Sequence, residues 1–190
     1  MQIRRYHADD EKGWVRCRAL SFLDTAYYDN VLREKENYTN PAIELVAEIN
    51  NQIVGLIDVE CEQTPKTVCT GDRGLGGMIW HIAVHPDFQR MRIGEKLLHE
   101  AENMAKEKGI SYLEAWTRDD QWVIHWYEKH GFVKGYSYLH VFIDHPEELK
   151  SINADLQFVQ AWAHYAGDEK EKMKAAFHRT HDCSSFMKKI

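Results

Sequence analysis

Hydrophobic and polar positions along this chain change period repeatedly, and each change predicts an element. Gln2 to Tyr6 reads as a short strand. Ala8-Asp9-Asp10-Glu11 then supplies capping and acidic first-turn residues before an amphipathic helix carrying Trp14, Val15, Cys17, Leu20 and Phe22. A second helix is expected over Tyr27 to Tyr38, with Val31 and Leu32 as its apolar contacts. Two β-rich runs follow, Ile43 to Ile49 and Ile53 to Glu60. They are separated by Asn50-Asn51-Gln52, whose asparagines tolerate positive φ, so the runs should pair antiparallel as a hairpin.

Gln63 to Gly77 holds Pro65 and four glycines and is expected to be a loop. Met78 to Val84 is a strand with an almost continuous apolar face, ended by His85-Pro86-Asp87. Ile93, Leu97, Leu98, Ala101, Met104 and Ala105 then recur at helical spacing as far as Lys108, and Gly109 stops that helix. Ile110 to Thr117 is the next strand. Asp119 or Asp120 can cap a helix running to His130 before Gly131, and Phe132 to Ile143 is a final β region. The order β-α-α-β-β-β-α-β-α-β predicts a mixed α/β fold, because adjacent hairpins do not occur in a purely parallel sheet.

Residues 146–190 change character. They hold seven acidic and seven basic side chains, so the net charge of −6 belongs to residues 1–145. Leu156, Val159, Trp162, Ala163 and Ala166 recur at helical spacing. The expectation is therefore a main domain over 1–145 and a C-terminal helical extension over 146–190. An apolar stripe there must be covered by the main domain or by another subunit.

At 190 residues, 44% hydrophobic and 12% aromatic, the chain is in the globular range and should bury roughly 70% of its unfolded surface. The negative balance argues against the broad basic face that sequence-independent nucleic-acid binding needs. No apolar run approaches the ~20 residues of a membrane helix, and the first ten residues lack a signal-peptide core, so a cytoplasmic protein with no membrane partner is expected. Cys17, Cys61, Cys69 and Cys183 form no Cys-x-x-Cys pair. His178-x-x-His181-x-Cys183 is the one local cluster of metal-ligand types and has no second half, so no metal site is expected.

Two segments carry candidate chemistry. In the first, Ile82-Ala83-Val84-His85-Pro86-Asp87-Phe88-Gln89-Arg90-Met91-Arg92-Ile93-Gly94 leads into a helix. The backbone N–H groups of residues 89–94 lack intrahelical acceptors, the helix dipole adds positive potential, and Gly94 permits close approach, all of which suit a phosphate. Arg90 and Arg92 strengthen the field, whereas Lys96 reads as a solvated helix residue. An ordinary helix start with surface arginines is the alternative. The second segment, Glu114 to Phe132, places Tyr127 one turn before a helix ends. A phenol of pKa ~10 can give its proton to a leaving thiolate, or its ring can simply fill the core.

Together these segments resemble the GNAT superfamily of acetyl-coenzyme A-dependent N-acetyltransferases. The family's loop pattern Gln/Arg-x-x-Gly-x-Gly/Ala corresponds to Gln89-Arg90-Met91-Arg92-Ile93-Gly94, with Arg92 in place of the first glycine. Its later pattern, Asn-x-x-Ala-x-x-aromatic-Tyr-x-x-x-Gly-Phe, maps onto Asp120, Val123, Trp126, Tyr127, Gly131 and Phe132, with Asp120 replacing Asn and Val123 replacing Ala. The resemblance covers roughly residues 2–145. It implies a mixed sheet flanked by helices and splayed after the strand Met78 to Val84, with the pantetheine arm pairing to the main chain of Ile82, Ala83 and Val84. Gln89, Arg90, Met91, Arg92, Ile93 and Gly94 would hold the pyrophosphate, and Asp120 would stand where the family's Asn binds the coenzyme arm.

On this resemblance Tyr127 is the general acid. Glu114, between Tyr112 and Trp116 on a strand end near Tyr127, is the first choice of general base, with His81 and Glu60 as alternatives. Asp58, Glu60, Trp80, Trp116 and Trp122 are candidates to hold a cationic amine. The implied activity is acetyl transfer from acetyl-coenzyme A to a primary amine of a small molecule or peptide. A non-catalytic coenzyme-binding sensor or structural module is the alternative, and a metal-dependent enzyme is disfavoured by the scattered histidines. Because GNAT relatives often dimerise, a homodimer closed by the tail is a further expectation.

Overall fold

In the computed structural model, residues 1–71, 74–148, 155–156 and 158–190 are described. The elements are β1 (Gln2–Arg5), α1 (Glu11–Phe22), β2 (Ala42–Ile49), β3 (Gln52–Cys61), β4 (Gly76–Val84), α2 (Ile93–Glu107), β5 (Tyr112–Thr117), α3 (Gln121–Lys129), β6 (Val133–Ile143), β7 (Ala161–Tyr165), α4 (Lys170–Ala176) and β8 (Arg179–Lys189). The strands form one sheet in the order β1-β2-β3-β4-β5-β8-β6-β7. β4 and β5 are parallel and are joined by α2 as the crossover, whereas their neighbours pair antiparallel. The β2–β3 hairpin turns through Asn50 and Asn51 at φ 50° and 61°, the left-handed conformation that asparagine accepts.

Helices cover both faces. On one, Leu97, Leu98, Ala101 and Ala105 of α2 pack with Val54, Ile57 and Val59 of β3, Leu113 and Ala115 of β5, and Tyr127 of α3. On the other, Trp14 and Cys17 of α1 pack on Val46, Leu56 and Ala83. We refer to these as the α2 face and the α1 face. Among the described residues no helix is long and apolar enough to cross a membrane.

Two expectations are corrected. Tyr27 to Tyr38 forms irregular turns instead of a second helix. Val31 and Leu32 alone are too few apolar positions to anchor a helix of this length, and Val31 is 64% exposed. Tertiary partners take the polar groups instead. The buried Arg18 guanidinium donates to the Asn30 carbonyl (2.7 Å) and Asn30 Oδ1 (3.0 Å), and the Lys35 N–H donates to Glu11 (3.2 Å).

The helical extension is also not what forms. Among the described residues of 146–190 the one α-helix is Lys170–Ala176, and β8 inserts between β5 and β6 in the middle of the sheet, so a division at residue 145 cuts through one core. Phe186 of β8 is completely buried among the α2-face residues. Trp162 and Ala163 lie in strand β7, and Leu156 and Val159 are exposed, so the expected helical stripe, and the dimer drawn from it, lose their basis. Residues 149–154 and 157 lie outside the described residues.

Candidate active site

The site begins where two strands part. β4 and β5 pair from Gly76↔Tyr112 to Ile79↔Ala115, and beyond that point β4 stays with β3 while β5 stays with β8. A β-bulge lies at the separation. Val59 opposes Ile79 and Asp58 opposes His81, which leaves Trp80 as the extra residue. The bulge turns two consecutive side chains to the α1 face: Trp80 Nε1 donates to Glu60 (2.8 Å), and the His81 ring meets Trp14 edge-on at 5.1 Å. Past the bulge, Ile82, Ala83 and Val84 are paired to β3 on one side, and their other edge faces the gap.

β4 leads through a short turn to the start of α2. Arg90 and Arg92 both have left-handed backbones, at φ 61° and 59°. For a residue with a Cβ this conformation costs about 1–2 kcal/mol, so Arg92 holds a backbone conformation that glycine adopts freely, at a conformational cost. The α2 ladder begins with Lys96 N–H donating to the Arg92 carbonyl (3.1 Å), so the N–H groups of Ile93, Gly94 and Glu95 precede it and point out of the helix start. A Cβ at Gly94 would lie 3.5 Å from Trp126 and 3.6 Å from Val84, which is ordinary contact. Packing therefore does not demand this glycine, and the open approach to the N–H groups is what it provides.

A cavity of about 1340 Å³ runs from this helix start through the gap to the α1 face. Ile82, Ala83, Val84, Gln89, Arg90, Arg92, Ile93, Gly94, Asp120 and Tyr127 all line it, as do Trp80, Trp116 and Trp122. Met91 is exposed and does not. The Asp120 carboxylate accepts from the Ala26 N–H (2.9 Å) and ties the turn after α1 to α3, without capping α3. Tyr127 stacks on Phe186 (centroids 5.5 Å) and meets Phe132 edge-on (5.1 Å). Burial raises the pKa of its hydroxyl, which keeps the proton available to a leaving group.

Glu114 is placed differently from the expectation. Side chains alternate along β5, so Leu113 and Ala115 share the α2 face with Tyr127, and Glu114 points to the opposite face with Tyr112 and Trp116. It is completely buried, does not line the cavity, and accepts from Thr70 N–H (2.8 Å), Thr70 Oγ1 (2.9 Å), Gly71 N–H (3.3 Å) and Trp116 Nε1 (2.7 Å). With Glu62, which accepts from the N–H groups of Val68, Cys69 and Gly76, it pins the loop before β4. Glu60 and Asp58 are likewise engaged. Glu60 accepts from Asn40 and Trp80, and Asp58 from Lys35 (3.0 Å) and Tyr38 (2.9 Å).

Sequence reasoning missed Glu36, in the segment expected to be helical. Its carboxylate lies 2.6 Å from His81 Nε2, and both residues line the cavity. Arg18 Nε donates to His81 Nδ1 (3.2 Å). A guanidinium has no acceptor, so Nδ1 must accept, which puts the imidazole proton on Nε2, facing Glu36. That bond holds the Glu36 carboxyl below the usual carboxylate range.

The α1-face end of the cavity is walled by rings. His140 Nδ1 accepts from Arg118 Nε (3.1 Å), and burial together with that guanidinium pushes the imidazole pKa down to about 4. The folded state thus binds this proton less readily than the unfolded chain, whose histidine titrates near 6.5. The stability His140 contributes is complete above that value and is lost as pH falls from 6.5 toward 4, by up to about 3 kcal/mol. Denaturant melts across this window should show His140→Asn losing less stability than wild type, since Asn can still accept from Arg118. Equal losses would remove His140 as the cause. Elsewhere, His178 bonds Glu148, His181 bonds Asp119, and Cys183 is buried, so the three go to different surroundings.

Comparison with known proteins agrees with this geometry. Residues 40–134 match the sequence model of the acetyltransferase (GNAT) domain. An acetyltransferase of Pectobacterium atrosepticum is 31% identical over 134 residues, covering 68% of this chain and 85% of that one. The uncharacterized N-acetyltransferase ycf52 of Porphyra purpurea is 34% identical over 65 residues, which are 34% of this chain and 36% of that protein, so the chain spans about a third of that relative's length. Among solved structures, a GNAT family acetyltransferase from Elizabethkingia anophelis with acetyl-CoA bound superposes with a TM-score of 0.57 at 16% identity, covering 100% of this chain and 97% of that one. Profile, relatives and sheet agree that the chain belongs to the GNAT acetyltransferase family.

Proposed function

We propose that this protein transfers an acetyl group from acetyl-coenzyme A to a primary amine of a small molecule or peptide by direct attack. The observation that carries this reading is the continuous cavity, which has a helix start bearing free N–H groups at one end, a buried phenol at the gap between β4 and β5, and an anionic carboxylate at the other end.

The N–H groups at the start of α2, with Arg90 and Arg92, bind the pyrophosphate. The open edge of Ile82–Val84 aligns the amides of the pantetheine arm in the manner of an added strand. An N–H on that edge stabilises the oxyanion that forms as the amine attacks the thioester carbonyl. Glu36, charged at neutral pH, attracts the ammonium and is the first acceptor on its proton's way to solvent, a role in which it replaces Glu114. Tyr127 protonates the departing thiolate.

Thiol release on a panel of amines tests turnover, and thermal melting tests the coenzyme site separately. At a hundredfold excess over Kd, acetyl-coenzyme A stabilises a binding protein by about 2.7 kcal/mol, or about 5–10 °C in Tm for a chain of this size. Gly94→Asp should abolish that rise while the protein stays folded, because the new Cβ has room and the carboxylate opposes the phosphate. An undiminished rise in the variant would place the pyrophosphate elsewhere.

A further inference from the structure

Beyond the strand gap the cavity wall is a chain of rings on the α1 face. Trp116 meets Tyr138 at 5.4 Å, Tyr138 meets His164 at 4.4 Å, His164 lies parallel to His140 at 4.5 Å with planes 3° apart, and Trp162 closes the chain 5.1 Å from His164. All five line the cavity that holds Tyr127 and Glu36. We propose that the amine acceptor is an arylalkylamine, a primary amine on a short linker whose planar ring lies against this wall. The proposal rests on the acetyl-transfer reading and names its substrate class.

The two ends of the wall differ in charge, and this sets the orientation. At the gap, the indole N–H groups of Trp80 and Trp116 are bonded to the carboxylates of Glu60 and Glu114, which fixes both rings, and both line the cavity with Glu36. An ammonium is stabilised there by ring faces and by a carboxylate. At the far end the Arg118 guanidinium is bonded to His140 and lies over Phe142 at 4.9 Å, and it is paired with Asp29 (3.2 Å), which also pairs with Arg179 (2.8 Å). The pKa values of His140 and His164 are both lowered, so the parallel imidazoles are neutral at pH 7. With Asp29 already engaged by two guanidiniums, a second ammonium finds less stabilisation there than at Glu36, which disfavours a polyamine. An uncharged aromatic ring of the acceptor has side-chain rings of this wall to pack against. The wall is composed of side chains from β5, β6 and β7, so it offers ring faces to a ligand where a peptide acceptor would need a row of main-chain partners.

The test uses the full-length protein with saturating acetyl-coenzyme A and four amines: 2-phenylethylamine, n-hexylamine, 1,4-diaminobutane and an alanine-initiated tripeptide. Thiol release should give 2-phenylethylamine a kcat/KM at least about tenfold above n-hexylamine, the scale of one or two ring contacts. In Trp162→Ala, a change at a 63%-exposed side chain, that ratio should fall toward one while the coenzyme-induced rise in Tm persists. Preference for the diamine or the tripeptide, or equal use of n-hexylamine, overturns the proposal and leaves acetyl transfer standing. If no amine releases thiol, acetyl transfer fails, and calorimetry of the coenzyme A-loaded protein still decides. Tighter binding of 2-phenylethylamine than of n-hexylamine, weakened by Trp162→Ala, supports the ring site. No difference between the two amines refutes it.

Discussion

Removing residues 179–190 should leave a chain with no cooperative thermal transition. β8 is not a trailing segment. It supplies the antiparallel partner of β5 from Tyr112 to Thr117 and of β6 from Val133 to Phe142, and without it neither strand has a neighbour on that side. Its loss also empties the space filled by Phe186, which is completely buried and packs under Tyr127. The smaller change Phe186→Ala should cost about 3–5 kcal/mol by transfer and cavity terms, enough to lower Tm by about 6–20 °C. A truncated protein that melts cooperatively and still gains Tm with acetyl-coenzyme A would show that the first five strands form a unit on their own.

Tyr127→Phe should lower turnover by ~10²-fold or more, the usual scale for a positioned general acid, while the Tm rise with acetyl-coenzyme A is retained. The ring contacts with Phe186, Phe132 and Trp126 survive the change, so the variant removes a proton and little else. The burial that raises the phenol's pKa keeps it protonated through the attack and makes its proton transfer to the developing thiolate more uphill than for a free phenol. Pre-steady-state measurement keeps chemistry separate from product release. A variant with an undiminished single-turnover rate would leave Tyr127 as a packing residue.

What could be read in the sequence was whatever local backbone chemistry encodes. The two asparagines of the hairpin follow from which residues tolerate positive φ, and the apolar period of α2 follows from its contact with the sheet, whereas the left-handed Arg92 goes against its residue type. β8 escaped because Thr180, Asp182, Ser184 and Ser185 interrupt any apolar pattern. Ser184 and Ser185 are buried because the strand has neighbours on both sides, which is a tertiary fact. Alternation correctly grouped Glu114 with Tyr112 and Trp116. Nothing in the sequence told which face of that strand Tyr127 would approach, and so the expected proximity failed. Glu36 was invisible for a related reason: it reaches His81 from an irregular segment 45 residues away, with no spacing to mark the pair.

The position of β8 also bears on the birth of the protein. β5 is complete at Thr117, but the strand that covers its flank does not begin until Arg179, about 60 residues later. At about 5–20 residues per second, a ribosome takes several seconds to cover that distance, and β8 must then clear the exit tunnel. During that interval the flank of β5 is an unpaired, largely apolar strand edge, the kind of surface that recruits other chains. For this chain, closure of the sheet therefore lags the synthesis of β5 by at least that interval. Its yield in a cell should depend on chaperone supply more than the stability of the finished fold would suggest.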